Sequence, residues 1–457
     1  MRFKTSNLKI NLRKIFSNIT FWLTPGIGVK RWLLVVLAGT TFIALGFAVL
    51  VLDFYRETTI PWLRGFFTAL SLSSQPRWLR ALVFGGVGLV VLLFGVIELN
   101  RSVLRPFMKP GQPLMDTLTN FRKKAKGPKI VAIGGGNGLA SLLRGLKKYT
   151  HNLTAIVTVA DDGGSSGELR KNLGILPPGD IRNCLTALAD DEEMLAHIFN
   201  YRFGDRAGVN GHSLGNLFIS ALTDITGSFE EAVAESGRVL AVKGKVMPST
   251  LHDVRLVAEI KRPNEESEIT VVGESVIPQT KGSISRLWIE PSNPLPFPQA
   301  VQAILSADLI IIGPGSLYTS VLPNLLVPGL CEAIQASRAL KFFVCNVANQ
   351  FGETQGYRCS DHIQVIEKHL QDLNFDLILC NNNFDVRLPK GIEYVLPDPG
   401  LEEQYSVYFT HLVDTDSPWR HDSNLLAEVI TDLYYERTGP LVKGKSEGTI
   451  VENGVEY

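Results

Sequence analysis

Cysteine is scarce in this chain of 457 residues and has no metal-binding spacing. The five cysteines are an odd number and include no C-x-x-C pair. This argues against a disulfide framework and against a zinc site, and it is typical of a reduced cytosolic domain. The chain also lacks a complete G-x-G-x-x-G fingerprint, because position 139 is leucine, and it has no G-x-x-x-x-G-K-[ST] phosphate loop.

Acidic residues are rare in the first part of the chain. Residues 1–127 contain 18 Lys and Arg but 4 Asp and Glu, whereas the remaining residues contain 27 and 41. The formal net charge of zero therefore hides a balance of +14 against −14. A basic segment beside apolar sequence predicts contact with a membrane surface. The acidic remainder argues against a nucleic-acid partner, which requires a basic surface.

Two long uncharged runs predict a membrane anchor over residues 1–105. The run Trp32–Leu52 has 21 residues and Ala81–Ile97 has 17, so helices at about 32–52 and 81–97 are able to cross a hydrocarbon core. Lys and Arg are concentrated outside both runs, so the positive-inside rule predicts a multi-pass protein of the cytoplasmic (inner) membrane. Its N-terminus and C-terminal domain would lie in the cytoplasm, with membrane lipid as a partner. A pair of buried core helices is the alternative.

Short apolar runs alternate with helical patterns over residues 129–440. A basic linker at 106–128 precedes this domain and a polar tail at 441–457 follows it. The alternation predicts a mostly parallel α/β sheet covered by helices on both faces, with a small antiparallel β insertion at 244–291. The predicted strands are Ile130–Ile133, Thr154–Ala160, Leu309–Ile312, Phe342–Cys345 and Leu377–Leu379. The predicted helices are Leu139–Lys148, Ile181–Ala189, Leu214–Thr223, Phe229–Leu240, Pro298–Ala307 and Ile363–Leu370.

Glycine and polar clusters follow four of the predicted strands. Ligands of such sheets bind at the carboxyl ends of the strands, and a helix N-terminus after a glycine turn is an anion site. The pattern therefore predicts a phosphorylated ligand, a nucleotide or a nucleotide sugar. Glycines that only permit close packing of helix on strand are the alternative. The clusters are Gly134–Gly138, Asp161–Gly167, Gly313–Ser320 and Asn346–Asn349.

Asp161 and Asp162 are the candidate metal ligands. On an extended backbone their side chains point to opposite sides, so we expect one of them to bind Mg²⁺ beside phosphates and the other to cap the turn at Gly163. Both would be catalytic residues if the protein is an enzyme. The cluster Gly313–Ser320 predicts a second phosphate contact, or a Pro-Gly turn capped by Ser316.

Two further polar segments leave alternatives open. Asp180 is predicted to cap the helix that follows it, and Arg182 is either part of that helix or a phosphate ligand. His212 and Asn216 either cap a helix or contact a base or sugar. In Cys359–His362, we expect Ser360 or Asp361 to be the N-cap.

A serine nucleophile is a third reading of the polar segments. Ser165 and Ser213 each lie in a G-x-S-x-G pattern. Neither follows a strand directly, as a nucleophile elbow requires, which argues against a serine hydrolase.

Taken together, the motifs over residues 128–437 resemble the YvcK/CofD family, and more closely its bacterial YvcK-like branch of gluconeogenesis factors. The matching segments are IGGGNGL at 133–139, TVADDGGSSG at 158–167, PPGDIRN at 177–183, GHSLGN at 211–216, IGPGSLYTSVLPN at 312–324 and GETQGY at 352–357. Asn137 replaces the usual Thr of that branch, and Arg358-Cys359 replaces the usual Thr-Ala. Two membrane spans are absent from most soluble members.

The resemblance implies a Rossmann-like doubly wound fold with a nucleotide cleft. It implies a UDP-sugar-binding regulatory factor that controls cell shape and the cell envelope during gluconeogenic growth, with envelope-synthesis proteins or a second copy of the chain as partners. The alternative is a CofD-like 2-phospho-L-lactate transferase, which moves a phospholactyl group from a guanosine-linked donor to the deazaflavin Fo with Mg²⁺. The candidate ligand-binding residues are Gly135, Gly136, Asn137, Gly138, Asp180, Arg182, Asn183, His212, Asn216, Gly313, Gly315, Ser316, Leu317 and Tyr318.

Overall fold

The structure is a computed structural model in which the chain divides into two units, Met1–Gly111 and Gln112–Tyr457. It describes residues 40, 41, 44, 48, 65, 75–104, 124–190, 192–204, 211–263, 267–370, 373–439, 450 and 451. The first predicted membrane span, at about 32–52, lies outside the described residues except for four positions. Most of the 106–128 linker and of the 441–457 tail also lies outside them.

The described part of the first unit is mainly one helix of 28 residues, Arg77–Leu104. It contains the second predicted span, and its apolar stretch is Gly85–Phe94. Among the described residues, no single helix is both long and apolar enough to cross a membrane. A broken pair in the second unit, Leu317–Leu325 with Pro328–Ala336, passes the same test only when joined across a 75° bend. The two-span anchor therefore stays a prediction.

The second unit is built on an eight-stranded sheet, which confirms the predicted mostly parallel α/β architecture. Its strands are β1 (Ile130–Gly134), β2 (Leu153–Val157), β3 (Lys245–Pro248), β7 (Leu309–Ile312), β8 (Leu340–Val344), β9 (Leu377–Asn381), β10 (Val407–Thr410) and β11 (Ile450–Val451). The strand order is β11-β10-β9-β8-β7-β1-β2-β3, and every neighbouring pair is parallel except β10 with β11. Central strands are buried on both faces, as the continuous runs of Ile, Val and Leu predict.

A separate antiparallel sheet confirms the predicted insertion. It consists of β4 (Arg255–Lys261), β5 (Glu268–Val272) and β6 (Ser283–Glu290), in the order β5-β4-β6. The first part of the 244–291 segment differs from the prediction, because β3 pairs in parallel with β2 and belongs to the main sheet. The insertion therefore follows directly from the last strand on that side of the main sheet.

The order in which the chain adds strands to the sheet changes side at β1. It adds β2 and β3 on one side of β1 and later β7, β8, β9 and β10 on the other side. Open α/β sheets bind ligands in the crevice at such a switch point, outside the carboxyl ends of the strands. The topology thus places the expected crevice where the loops after β1 and β7 meet.

Helices in the second unit begin or end a few residues away from their predicted bounds, and several short ones were not predicted. The helix after β1 begins at Gly136, three residues before the first apolar position of its pattern, because the glycine turn itself forms the first turn. The helices are Gly136–Leu146, Gly164–Leu173, Gly179–Leu188, Glu192–Asn200, Leu214–Thr226, Phe229–Val239, Pro298–Leu305, Leu322–Leu325, Pro328–Ala336, Cys359–His369 and Ser423–Thr438.

Two predicted helix caps are wrong. Pro178 is the N-cap of the helix Gly179–Leu188, and Asp180 lies inside its first turn. Arg358 is the N-cap of the helix Cys359–His369, and Asp361 accepts a hydrogen bond from the Arg358 backbone N–H over 2.7 Å as the other half of a capping box. Asp180 therefore lies two positions after the N-cap and Asp361 three positions after it, rather than at the N-cap itself.

Candidate functional site

A pocket of about 630 Å³ lies at the carboxyl ends of the central strands. It includes the glycine turn after β1, Asp161 after β2, Pro314–Ser316 after β7 and Asn346–Phe351 after β8. The four clusters that the sequence placed after four strands therefore contribute to one cavity. Ser320, at the end of the cluster after β7, also lines it. Further lining residues come from outside the four clusters: Ser141, Asp180, Glu274, Glu353, Gly391, Ile392, Trp419, Arg420 and His421.

The glycine turn at Gly135–Gly138 is required for close approach as well as for a free helix terminus. A Cβ at Gly138 would lie 2.7 Å from the carbonyl oxygen of Pro314, and a Cβ at Gly135 would lie 2.5 Å from Asp180 Oδ2. Gly136 has a φ of +60°, a backbone conformation that residues other than glycine rarely adopt. The Gly136 N–H donates a hydrogen bond to the Asp180 carboxylate. The N-cap residue Gly135 has no side chain that could cap the amides of Asn137 and Gly138, so these two amides are left for a ligand. The packing and anion-binding explanations of these glycines are both compatible with this geometry.

Four carboxyl groups line the same pocket: Asp161, Asp180, Glu274 and Glu353. Burial, and then the charge of Asp161, raise the pKa of Asp180 to about 6. Burial, and then the charge of Asp161, raise the pKa of Glu274 to about 9. Burial also raises the pKa of Asp161, although the Gly163 backbone N–H donates to its Oδ1 over 2.8 Å. These groups therefore repel one another when charged, which is typical of a cation site.

Asp162 has a different role from its neighbour. Its Oδ1 accepts a hydrogen bond from the backbone N–H of Ser275 over 2.9 Å, and it does not line the pocket. The two adjacent aspartates thus diverge, as expected for an extended stretch. Asp161 reaches the pocket and also holds the turn at Gly163, whereas Asp162 anchors the loop of the insertion. That loop carries Glu274, a pocket residue that the sequence analysis missed because no motif surrounds it.

Asn346 and Glu353 hold the loop after β7 in place through hydrogen bonds. Asn346 exchanges two hydrogen bonds with the backbone of Gly315, over 3.2 and 2.8 Å. Glu353 accepts from the backbone N–H of Tyr318 over 3.3 Å and from Thr319 Oγ1 over 3.0 Å. Burial raises the pKa of Glu353 to about 7. Several donors expected to meet a phosphate are therefore already used inside the protein.

Gly315 and Ser316 line the pocket, but other candidates of that loop do not. Leu317 and Tyr318 are buried in the core, and the Tyr318 hydroxyl lies 2.9 Å from the hydroxyl of Tyr357. Gly313 donates its backbone N–H to the carbonyl of Ile133 over 2.9 Å. The structure therefore places these three beneath the pocket rather than on its surface.

Arg182, Asn183, His212 and Asn216 form a second polar cluster outside the pocket lining. Arg182 donates to Asn183 Oδ1 over 2.7 Å, to Asn216 Oδ1 over 3.0 Å and to the hydroxyl of Ser213. The Ser213 hydroxyl also accepts from the Asn216 backbone N–H and caps the helix Leu214–Thr226. The cluster ties three helices together, and the structure does not bring it into contact with the cavity.

Ser165 belongs to this second cluster. Its Oγ lies 2.9 Å from His212 Nδ1 and accepts from Asn216 Nδ2 over 3.0 Å, and His212 Nε2 lies 3.4 Å from Glu168 Oε2. The series Ser165–His212–Glu168 has the order of a nucleophile, a base and an acid. However, Ser165 is buried and lies outside the pocket, and β2 ends at Val157 rather than directly before the glycines. The hydroxyl is therefore a structural hydrogen-bond centre.

Comparisons with known proteins identify the second unit. The family model described as 2-phospho-L-lactate transferase CofD matches residues 130–424. A putative gluconeogenesis factor from Nostoc sp. is 50% identical over 368 residues, which cover 79% of this chain and 78% of the relative. The gluconeogenesis factor of Bacillus subtilis is 43% identical over 321 residues, which cover 69% of this chain and 99% of the relative.

A solved structure supports the same assignment. The crystal structure of a protein from Bacillus halodurans matches with a TM-score of 0.62 at 43% identity, over 67% of this chain and 99% of the other. The family match, the relatives and this structure all span the domain that carries the pocket. The chain therefore belongs to the CofD family, in its YvcK-like branch of gluconeogenesis factors.

Proposed function

We propose that the pocket binds a nucleotide sugar through its diphosphate, together with a divalent cation, and that the protein acts as a regulatory factor rather than as a transferase. The observation that supports this is the convergence of four strand-end loops on one cavity at the switch point of the sheet. The uncapped amides of Asn137 and Gly138, at the start of the helix Gly136–Leu146, offer donors to phosphate oxygens.

The charges around the cavity require a cation if the ligand is a diphosphate. The cavity is lined by four carboxyl groups, those of Asp161, Asp180, Glu274 and Glu353. Among the lining residues that the structure describes, the basic side chains are Arg420 and the histidine at 421. Mg²⁺ is commonly bound by one or two carboxylates together with substrate phosphates rather than by a complete protein cage. Asp161 and Glu274, which contact one another, with Asp180 beside them, fit that mode.

Two aromatic side chains favour a nucleoside over inorganic phosphate. Trp419 and Phe351 line the cavity and are 40% and 77% exposed. An exposed aromatic face at a polar pocket offers a surface on which a base stacks. We therefore assign the phosphate end of the ligand to the glycine turn and the base to the side of Trp419.

Calorimetric titration of the purified full chain with UDP-N-acetylglucosamine tests the proposal. We expect saturable binding in the presence of Mg²⁺ and much weaker binding in a chelator. Trp419→Ala should weaken binding several-fold, whereas Tyr435→Ala, at an exposed position of the helix Ser423–Thr438, should not. No heat and no thermal stabilisation at millimolar ligand, with UDP or GDP sugars alike, would reject the proposal.

We further propose that residues 1–105 tether this domain to the cytoplasmic membrane. The exposed apolar side chains of the helix Arg77–Leu104 support it, among them Val87, Val90 and Phe94, because such a surface is unfavourable in water. The tether would bring the nucleotide-sugar site to the membrane where envelope precursors are assembled. After alkaline carbonate extraction of cells, the full chain should remain with the membranes, and a chain starting at residue 112 should not.

The transferase alternative makes a separate prediction. It requires a phospholactyl product from Fo and the guanosine-linked donor in the presence of Mg²⁺, lost in Asp161→Asn. The binding proposal requires no such product. Mass spectrometry of the reaction mixture distinguishes them.

A further inference from the structure

Three of the five cysteines meet inside the second unit, although their spacing in the sequence gives no sign of it. Cys345, Cys359 and Cys380 are buried, and their sulfur atoms all lie within 4.8 Å of one another. The remaining two, Cys184 and Cys331, are buried elsewhere and are not part of the group. Sequence separations of 14 and 21 residues conceal the group, because it is assembled by two neighbouring strands and a helix.

Each cysteine is held on a rigid element. Cys345 directly follows β8, Cys380 lies in the adjacent parallel strand β9, and Cys359 is the first residue of the helix Cys359–His369. Metal ligands placed on strands and helices are positioned more accurately than ligands on loops. The N-terminus of a helix also stabilises a thiolate.

The three sulfur atoms are close enough to one another to bind a single cation. Their mutual distances do not exceed 4.8 Å, and sulfur atoms around a tetrahedral zinc ion with Zn–S bonds of about 2.3 Å lie about 3.8 Å apart. A small contraction would bring all three onto one cation.

A histidine on the same helix lies one turn further along. His362 Nδ1 lies 2.9 Å from the carbonyl oxygen of Arg358, and its buried Nε2 has no hydrogen-bond partner among the described residues. Three cysteines and one histidine are a common set of zinc ligands. His362 is not within 4.8 Å of all three sulfur atoms, so its ring would have to turn toward them to become the fourth ligand.

We propose that Cys345, Cys359 and Cys380 form a structural site for a thiophilic d¹⁰ cation, with zinc as the cation to be tested. Binding releases the thiol protons to solvent and forms metal–thiolate bonds without any redox change. The set of soft sulfur ligands disfavours Mg²⁺ and Ca²⁺, so this site is chemically distinct from the carboxylates of the pocket.

A cation bound by the three cysteines would also stabilise the part of the pocket that contains His421. The carbonyl oxygen of Cys345 accepts a hydrogen bond from His421 Nε2 over 3.1 Å, and His421 lines the cavity. The next residue, Asn346, holds the loop after β7. A bound cation would therefore fix the end of β8 from which both contacts extend.

Cobalt substitution of the full chain, purified under reducing conditions and freed of metal, tests the site. We expect a thiolate-to-cobalt charge-transfer band in the near ultraviolet that saturates at one Co²⁺ per chain and is displaced by Zn²⁺. The variant Cys359→Ala should lose at least ten-fold in affinity, and Cys331→Ala, another buried cysteine, should retain the band. Circular dichroism confirms that both variants are folded.

The nucleotide titration separates this inference from the proposed function, because cobalt binding is measured without nucleotide. The inference is overturned if no charge-transfer band forms, or if Cys359→Ala binds as tightly as the parent chain. It is also overturned if mass spectrometry of the reduced and refolded protein shows a disulfide between any two of the three cysteines in place of metal.

Discussion

Replacing Asp180 by asparagine tests the charge balance of the pocket directly. Burial, and then the charge of Asp161, raise the pKa of this carboxyl to about 6 from an ordinary value of 3.8. A carboxyl whose pKa is raised on folding favours the folded state fully only below its unfolded pKa, and this contribution is lost as the pH rises through the folded pKa. Asparagine keeps the shape and an oxygen for the Gly136 N–H but carries no charge to bury.

The size of the effect follows from the shift. About 2 pKa units at about 1.36 kcal/mol each amount to about 3 kcal/mol once the group is fully ionised. The linkage relation gives about half of this at pH 5 and nearly all of it at pH 8. Without metal or nucleotide, we therefore expect Asp180→Asn to be more stable than the parent by about 1.5 kcal/mol at pH 5 and about 3 kcal/mol at pH 8.

Urea unfolding in a chelator at the two pH values measures this difference. Asp224→Asn, on the exposed side of the helix Leu214–Thr226, is the matched control and should unfold like the parent at both. Added Mg²⁺ should stabilise the parent at pH 8 and stabilise Asp180→Asn much less, because one ligand charge is lost. The reasoning fails if the gap between variant and parent does not widen from pH 5 to pH 8.

Three further predictions concern the glycine turn, the core beneath it and the second polar cluster. Gly138→Ala brings a Cβ within 2.7 Å of the Pro314 carbonyl oxygen, and should cost about 1–3 kcal/mol of stability and weaken nucleotide binding. In the same thermal and calorimetric assays, the control Gly204→Ala should change neither, because the space around Gly204 is open. Tyr318→Phe removes the 2.9 Å contact with Tyr357 and should cost about 1 kcal/mol of stability in urea unfolding. The affinity for UDP-N-acetylglucosamine should stay within two-fold of the parent, about 0.4 kcal/mol, and a large loss of affinity would show that Tyr318 contacts the ligand. A fluorophosphonate probe should leave the chain unlabelled, since the Ser165 hydroxyl is buried; labelling that disappears in Ser165→Ala would reveal hydrolase chemistry.

The loops that form the cavity were predictable from the sequence because their signals are local. Apolar strands such as Ile130–Ile133 and Leu309–Ile312 are each followed by glycines, and parallel strands must end on the same edge of a sheet. Glu274 and Trp419 could not be predicted as pocket residues, because no local signal marks them. Neither follows a strand of the main sheet, and only the packing of their segments brings them to the pocket.

Motif membership alone did not decide which residues face the ligand. Arg182 and Asn216 lie in motifs as specific as the glycine turn, yet they hydrogen-bond to each other inside a separate cluster. Tyr318 lies in the β7 loop but points into the core. Short motifs specify residue types at a spacing, whereas the direction of each side chain depends on what packs against it.

By itself, the sequence determined the alternation of strands and helices, the insertion and the family, because hydrophobic period and glycine turns act over a few neighbouring residues. Only the tertiary structure decided which polar groups share a cavity and which share a core. It separated Asp161 from Asp162 and joined three cysteines that lie 14 and 21 residues apart. The physical reason is that pleated strands and helix faces set direction locally, but proximity between distant segments arises only from how the buried surfaces fit together.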